Sequence, residues 1–107
     1  NGTINTTYVT KSNTTFVHWK KYGRMVTVEL YDVDTKAGYS TENVMTLATG
    51  LPAPYGGEIM ACLTGHDKSA NKAVQVRLRV DSAGVLKPWY IGTSTVTTIT
   101  GSFSYIA

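Results

Sequence analysis

The sequence predicts an all-β fold, a jelly-roll-like barrel or sandwich of about seven short antiparallel strands. In residues 73–80 aliphatic side chains occupy every second position, which is the period of a strand with one buried face. Residues 24–31 show the same alternation. No segment of ten or more residues combines helical periodicity with capping residues, and evenly spaced short strands are typical of sandwiches and barrels.

Five further strands follow from apolar and β-branched runs bounded by turn residues. They are predicted at residues 15–20, 44–48, 58–64, 85–91 and 101–106. Gly, Pro and Asp cluster in the intervening segments 21–23, 32–38, 49–57 and 81–84, as expected for turns. Gly84 is expected to supply the positive φ of a tight hairpin.

The chain divides into a short lead-in and one domain. Residues 1–13 are rich in Thr and Asn and poor in apolar side chains, which favours a linker or lead-in from a preceding domain. Residues 14–107 are long enough to bury one core and form the predicted β-barrel domain.

Composition argues against several classes of partner. Ten Lys and Arg against seven Asp and Glu give a net charge of +3, but these basic residues form no run of four and no nucleic-acid-binding motif. No apolar stretch is long enough to span a membrane, so neither nucleic acid nor membrane is expected as a partner. Cys62 is the only cysteine, which excludes an intrachain disulfide, and its apolar neighbours indicate a buried thiol.

No pattern of catalytic or metal-binding residues is present. The sequence contains no Gly-x-Ser-x-Gly elbow and no phosphate-binding glycine loop. His18 and His66 lie in separate segments without metal-ligand spacing, and the carboxylates form no glycosidase pair. Asp32 and Asp34 are interpreted as part of a solvated turn. We therefore expect no enzyme activity, no metal and no cofactor.

Aromatic and polar side chains near predicted turns favour sugar binding, since flat rings stack on the C–H faces of sugars while polar groups bind hydroxyls. Tyr55 and Trp89 are candidate platforms, although Trp89 fits the core equally well. Trp19 is interpreted as a core residue. The pair His66 and Asp67 is a further candidate, with an ordinary polar turn as its alternative.

Four stretches, residues 16–28, 49–63, 74–92 and 97–106, carry a resemblance to a known family. They contain an opening strand with a Lys-Lys turn, a Leu-Pro loop before a strand, a Ser-Ala-Gly hairpin followed by Trp, and a Thr/Gly/aromatic end. In this order they resemble the C-terminal receptor-binding heads of siphophage tail and baseplate proteins, especially those of lactococcal phages.

The resemblance implies an extracellular, trimeric β-barrel head at the virion tail tip or baseplate. Such a head contacts other tail proteins and binds host cell-wall saccharides, often phosphate-bearing, without chemistry. Where the family often presents His-x-Asp, this chain has Arg77-Leu78-Arg79, and Trp89 stands one residue further along. Two guanidiniums suit an anionic, phosphodiester-linked glycan.

The sequence therefore predicts a saccharide site on six residues. They are Trp89, Arg77, Arg79, His66, Asp67 and Tyr55. One alternative is a structural tail or baseplate module that binds no ligand, in which the arginines pair with Glu29, with Asp81 or with a neighbouring subunit. A polysaccharide-degrading tailspike is less favoured, because no pair of carboxylates stands out.

Overall fold

The computed structural model describes residues 2–4, 9–10, 14–37 and 45–107, and these form an all-β fold without a helix. The predicted fold class is confirmed: one antiparallel sheet curls into a nearly closed barrel of eight strands. The strand segments are β1 (Thr3–Ile4), β2 (Val9–Thr10), β3 (Phe16–Tyr22), β4 (Met25–Thr35), β5 (Ala48–Thr49), β6 (Ile59–Asp67), β7 (Lys72–Val80), β8 (Leu86–Ile91) and β9 (Thr97–Ile106).

The strands follow the order β1-β5-β8-β7-β6-β9-β4, and β2 and β3 both pair with β4 on the side opposite β9. β2 and β3 pair with different parts of β4 and together occupy one strand position. The nine segments therefore form a barrel of eight strands. At the other end of the order β1 comes into contact with β3. The sheet therefore almost closes on itself, and the seam of the barrel lies between β1 and β3, which are in contact without a ladder.

The interior of the barrel is filled by aliphatic side chains from every major strand, with β7 in a central position. Val76, Leu78 and Val80 are completely buried, as the alternation predicts. Trp19 lies opposite Val28 in the β3–β4 ladder and, partly buried, packs against this core, in agreement with its interpretation as a core residue.

β6 and β9 pair only between Gly65↔Ile99 and Asp67↔Thr97, and the earlier part of β6 then separates from β9. The loop of residues 51–57 is fastened to the far end of β9. The Tyr105 hydroxyl donates to the Pro52 carbonyl at 2.6 Å, and the Tyr55 amide donates to the Ile106 carbonyl at 2.8 Å. Burial raises the pKa of Tyr105 to about 12.

The predicted turn at Asp32 is wrong, because β4 continues through it to Thr35. A β-bulge lies between Leu30 and Val33, and Asp32 takes a left-handed φ of 53° there. Asp adopts this conformation more readily than most residues. Its carbonyl accepts the Thr15 hydroxyl and its amide donates to the Thr100 hydroxyl, so the bulge is held by residues far apart in the chain.

The prediction that Cys62 is buried is also wrong, since its side chain is exposed. β6 alternates, with the partly buried Ala61 and Leu63 on one face and Cys62 on the other. An apolar run alone therefore does not decide burial in a strand; the position within the period of two does.

Two segments inside the predicted lead-in, residues 1–13, join the sheet. β1 pairs with β5, and β2 pairs with the end of β4, where Val9 is buried. The boundary at residue 14 stays a prediction. Of the strand predicted at 44–48, only Ala48 lies in a strand, β5; residues 45–47 are outside any strand, and residue 44 lies outside the described residues. Within the described ranges no helix is long and apolar enough to cross a membrane.

Candidate functional site

The outer surface of β7 and β8 gathers three of the predicted site residues. Because Val76, Leu78 and Val80 point inward, Arg77 and Arg79 point outward, about 6.6 Å apart along the strand. Arg77 lies opposite Tyr90 of β8, and Arg79 lies opposite Lys87. We call the surface formed by Arg77, Arg79, Lys87, Trp89 and Tyr90 the β7–β8 face.

A β-bulge brings Trp89 onto this face. Tyr90 pairs with Arg77 and Pro88 pairs with Leu78, so Trp89 is the extra residue between two ladder positions. An extra residue re-aims a side chain relative to strict alternation. The Trp89 ring is partly exposed, and the Arg79 guanidinium carbon lies 5.4 Å from its centroid, within the range of a cation–π contact.

The two arginines differ in their electrostatic surroundings. The Arg79 guanidinium lies 3.8 Å from the Glu58 carboxylate, and only 16% of its side chain is exposed. Arg77 is exposed, and no described acidic residue lies within ion-pair distance of it. Arg79 is therefore partly neutralised and fixed against the Trp89 ring, while Arg77 presents its charge to solvent.

The acidic residues considered as arginine partners from the sequence have other neighbours. Glu29 lies 3.4 Å from the His18 imidazole, and Asp81 lies 3.2 Å from the Lys87 ammonium. Burial acts to raise the pKa of Asp81, but the Val85 and Ala83 amides and Lys87 lower it overall. Asp81 thus organises the β7–β8 turn, and its negative charge is directed at Lys87 and not at Arg77.

An open concavity of about 380 Å³ lies along the β6–β7 hairpin, beside the ladder position that Cys62 shares with Arg77. The residues of the hairpin that line it are Cys62, Leu63, Thr64, Ala73, Val74 and Gln75. Cys62 is the cross-strand neighbour of Arg77, and Gln75 precedes Arg77 on the same outward face. Sequence reasoning missed these residues, although the period of two in β6 identifies Cys62 and Thr64 as outward-facing.

His66 and Asp67, adjacent in sequence, face opposite sides of β6. His66 is exposed on the outer side, four residues from Cys62 and thus about 13 Å along the strand. Asp67 is buried. Its carboxylate accepts the Thr95 hydroxyl and the amides of Ser69 and Ala70, and these hydrogen bonds, that of Thr95 foremost, lower its pKa. Asp67 therefore organises the β6–β7 turn and is not part of the candidate site.

Tyr55 lies in the 51–57 loop rather than on the β7–β8 face. Its ring is exposed, and the Arg24 guanidinium carbon lies 4.5 Å from the ring centroid. The structure thus brings Arg77, Arg79 and Trp89 together, places His66 further along the same side of the sheet, and leaves Tyr55 at one end of the barrel.

A second exposed aromatic group lies on the outside of β3 and β4. Phe16 stacks on His18 at 4.7 Å between ring centroids and on Tyr31 at 5.4 Å. Among the described residues no three His, Cys, Asp or Glu side chains are grouped so that they could hold a metal ion.

Comparison of the chain with protein-family models, with characterised proteins and with solved structures finds no match.

Proposed function

We propose that this protein is a non-enzymatic recognition domain that binds an anionic, phosphodiester-linked saccharide of a host cell wall through its β7–β8 face. In this proposal the chain is the adhesion head of a phage tail tip or baseplate, displayed on the virion. The sequence resemblance supports the phage setting, and the surface chemistry of the face supports the ligand class.

The observation that carries the ligand class is the exposed Arg77, which has no described acidic partner and lies between aromatic rings and a concavity. A guanidinium binds phosphate oxygens through parallel N–H donors. The exposed ring of Tyr90 lies opposite Arg77, so a sugar can rest on the ring while its phosphate meets the guanidinium. The concavity beside Cys62 then accommodates the next residue of the glycan.

Within this proposal Arg79 has a supporting role. Its contact with Glu58 and its position over Trp89 hold the indole ring in place. The Trp89 ring remains partly exposed and offers a further stacking surface. Arg77 thus supplies most of the charge recognition, and Trp89 with Tyr90 supplies the apolar contact.

The proposal is tested by measuring binding to purified host cell walls across a range of salt concentrations. For Arg77→Gln we expect a loss of at least about tenfold, since a hydrogen bond to a charged group contributes roughly 1.5–3 kcal/mol, together with a weaker salt dependence. For Trp89→Ala we expect a several-fold loss, because a stacked ring contributes about 0.5–1.5 kcal/mol beyond its area. Lys72→Gln removes one exposed charge at the far end of β7 and is the matched control.

Cys62 provides a second, independent readout. It is the only cysteine, it is exposed, and it lines the concavity next to Arg77. Bound saccharide is expected to slow its reaction with a maleimide. If Arg77→Gln is folded and binds as tightly as the parent with the same salt dependence, the proposed site is wrong. If the parent binds no cell-wall fraction, the structural-module alternative is favoured instead.

A further inference from the structure

Exposed apolar side chains concentrate at one end of the barrel. Five of the eight exposed large hydrophobic residues in the described part of the chain lie there. They are Tyr22, Met25, Tyr55, Met60 and Ile106. Tyr22, Met25 and Ile106 are consecutive cross-strand neighbours on β3, β4 and β9, and the Tyr55 amide binds the Ile106 carbonyl.

Positive charge lies beside this apolar group, at the end of β3 and in the turn that follows it. Lys20 and Lys21, at the end of β3, are both exposed, and among the described residues neither has an acidic partner. Arg24, in the turn between β3 and β4, lies over the Tyr55 ring. Glu58 and Asp81, the acids at this end in the described part of the chain, already lie against other cations. We call this apolar and basic surface the β3–β4 end.

We propose that the β3–β4 end docks onto the surface of an anionic lipid bilayer. A bilayer offers two kinds of contact to this surface: hydrocarbon for Met25 and Ile106, and phosphate groups for Lys20 and Lys21. Tyrosine rings prefer the boundary between headgroups and acyl chains, where Tyr22 and Tyr55 would lie. Lysine stems extend along apolar surface while their ammonium groups reach the phosphates.

Charge distinguishes this partner from the two nearest alternatives. A second copy of the chain placed on the same surface would bring two sets of Lys20, Lys21 and Arg24 together without acids between them. A soluble anionic polysaccharide would satisfy the lysines but leave Met25 and Ile106 in water. The lipid surface is separate from the β7–β8 face, so it is a further binding activity beyond the proposed glycan recognition.

This inference departs from the expectation that no membrane acts as a partner, which rested on the lack of a spanning segment. Five of the residues of the β3–β4 end lie in one hairpin, at positions 20–25, and this stretch alone carries no clear amphipathic pattern. Only the barrel places them beside Tyr55 and Ile106.

The proposal is tested by flotation of the protein with vesicles of phosphatidylcholine, with or without phosphatidylglycerol. The parent is expected to float with the anionic vesicles only. Tyr22→Ser with Met25→Ser, and separately Lys20→Gln with Lys21→Gln, should each weaken binding by at least about tenfold. Phe16→Ser with Tyr31→Ser removes two exposed rings from the outer side of β3 and β4 and is the matched control, expected to bind as the parent does.

Four outcomes would overturn the proposal. They are the absence of flotation, equal binding to neutral vesicles, loss in the lysine variant but not in the Tyr22 and Met25 variant, and self-association that the Tyr22 and Met25 variant abolishes. Arg77→Gln should leave vesicle binding unchanged. A failure of the lipid proposal is therefore distinguishable from a failure of the proposed glycan site.

Discussion

At the scale of single residues, Gly84 is the position most tightly fixed by its surroundings. It takes a φ of 75°, and a Cβ built there would lie 2.0 Å from the carbonyl oxygen of Leu51. The positive φ follows from the Ser-Ala-Gly sequence and is confirmed. The close approach of Leu51 joins segments far apart in the chain, and no local pattern indicates it.

We expect Gly84→Ala to destabilise the protein by more than the roughly 1–2 kcal/mol that a left-handed backbone costs a residue with a Cβ, because the added carbon also overlaps the Leu51 carbonyl. Gly23→Ala is the control: its φ is 58° but nothing lies within 4 Å of the built Cβ, so only the backbone cost applies. Urea unfolding of both variants measures the difference. Equal losses would show that the loop around Leu51 moves away freely.

At the scale of strands, the sequence predicts position best where polar and apolar residues alternate strictly. β7 was placed correctly, and with it the outward direction of Arg77. In β6 the run Ala61, Cys62 and Leu63 hides the alternation, so the exposed thiol was missed. The sequence does not decide between core and surface for Trp89, because its position depends on a bulge in β8 that is defined by pairing with β7.

The same limit applies to turns held by distant groups. Asp67 was a candidate ligand because it follows His66 in a polar segment. Its burial and its bond to Thr95 depend on the start of β9, which lies beside β6 only in the folded barrel. The sequence is therefore sufficient to predict the fold class and most of the strands. For the site, it is sufficient only where the alternation within a strand determines which way a side chain points.

The β6–β7 turn makes stability sensitive to acid. Hydrogen bonds lower the pKa of Asp67 below the ordinary value of 3.8, so the ionised carboxylate stabilises the fold fully above that value. This contribution is lost as the pH falls through the lower pKa of the folded state. We expect Asp67→Asn to melt at a lower temperature than the parent at pH 7, with the difference shrinking below about pH 4.

Thermal melts of the parent and of Asp67→Asn across this range measure the effect. Glu58→Gln is the control, since its carboxylate is about half exposed and it holds no turn. A difference between Asp67→Asn and the parent that stays constant down to the lowest pH would show that packing, and not charge, makes Asp67 important.

At the scale of the whole molecule, barrel closure is uneven. β3 pairs with β4 along all seven of its residues, but its other side faces only the two-residue β1, with no ladder between them. Much of one long strand edge therefore lacks partners among the described strands. Exposed edges of this kind are places where protein copies join.

From this edge, and from the family resemblance, we expect the domain to form a homotrimer, measured by sedimentation equilibrium as three times the chain mass of 11.6 kDa. Because Cys62 is exposed, the measurement uses Cys62→Ser, which prevents disulfide-linked dimers from imitating an assembly.

Adding charge on the edge strand through Phe16→Lys with His18→Lys should shift the protein to monomer, since lysines on an edge strand oppose pairing. Thr64→Lys with Gln75→Lys adds the same charge to the inner strands β6 and β7 and should leave the trimer intact. A monomer at micromolar concentration in the Cys62→Ser parent would contradict the trimer, and equal dissociation by both lysine pairs would place the contact away from β3.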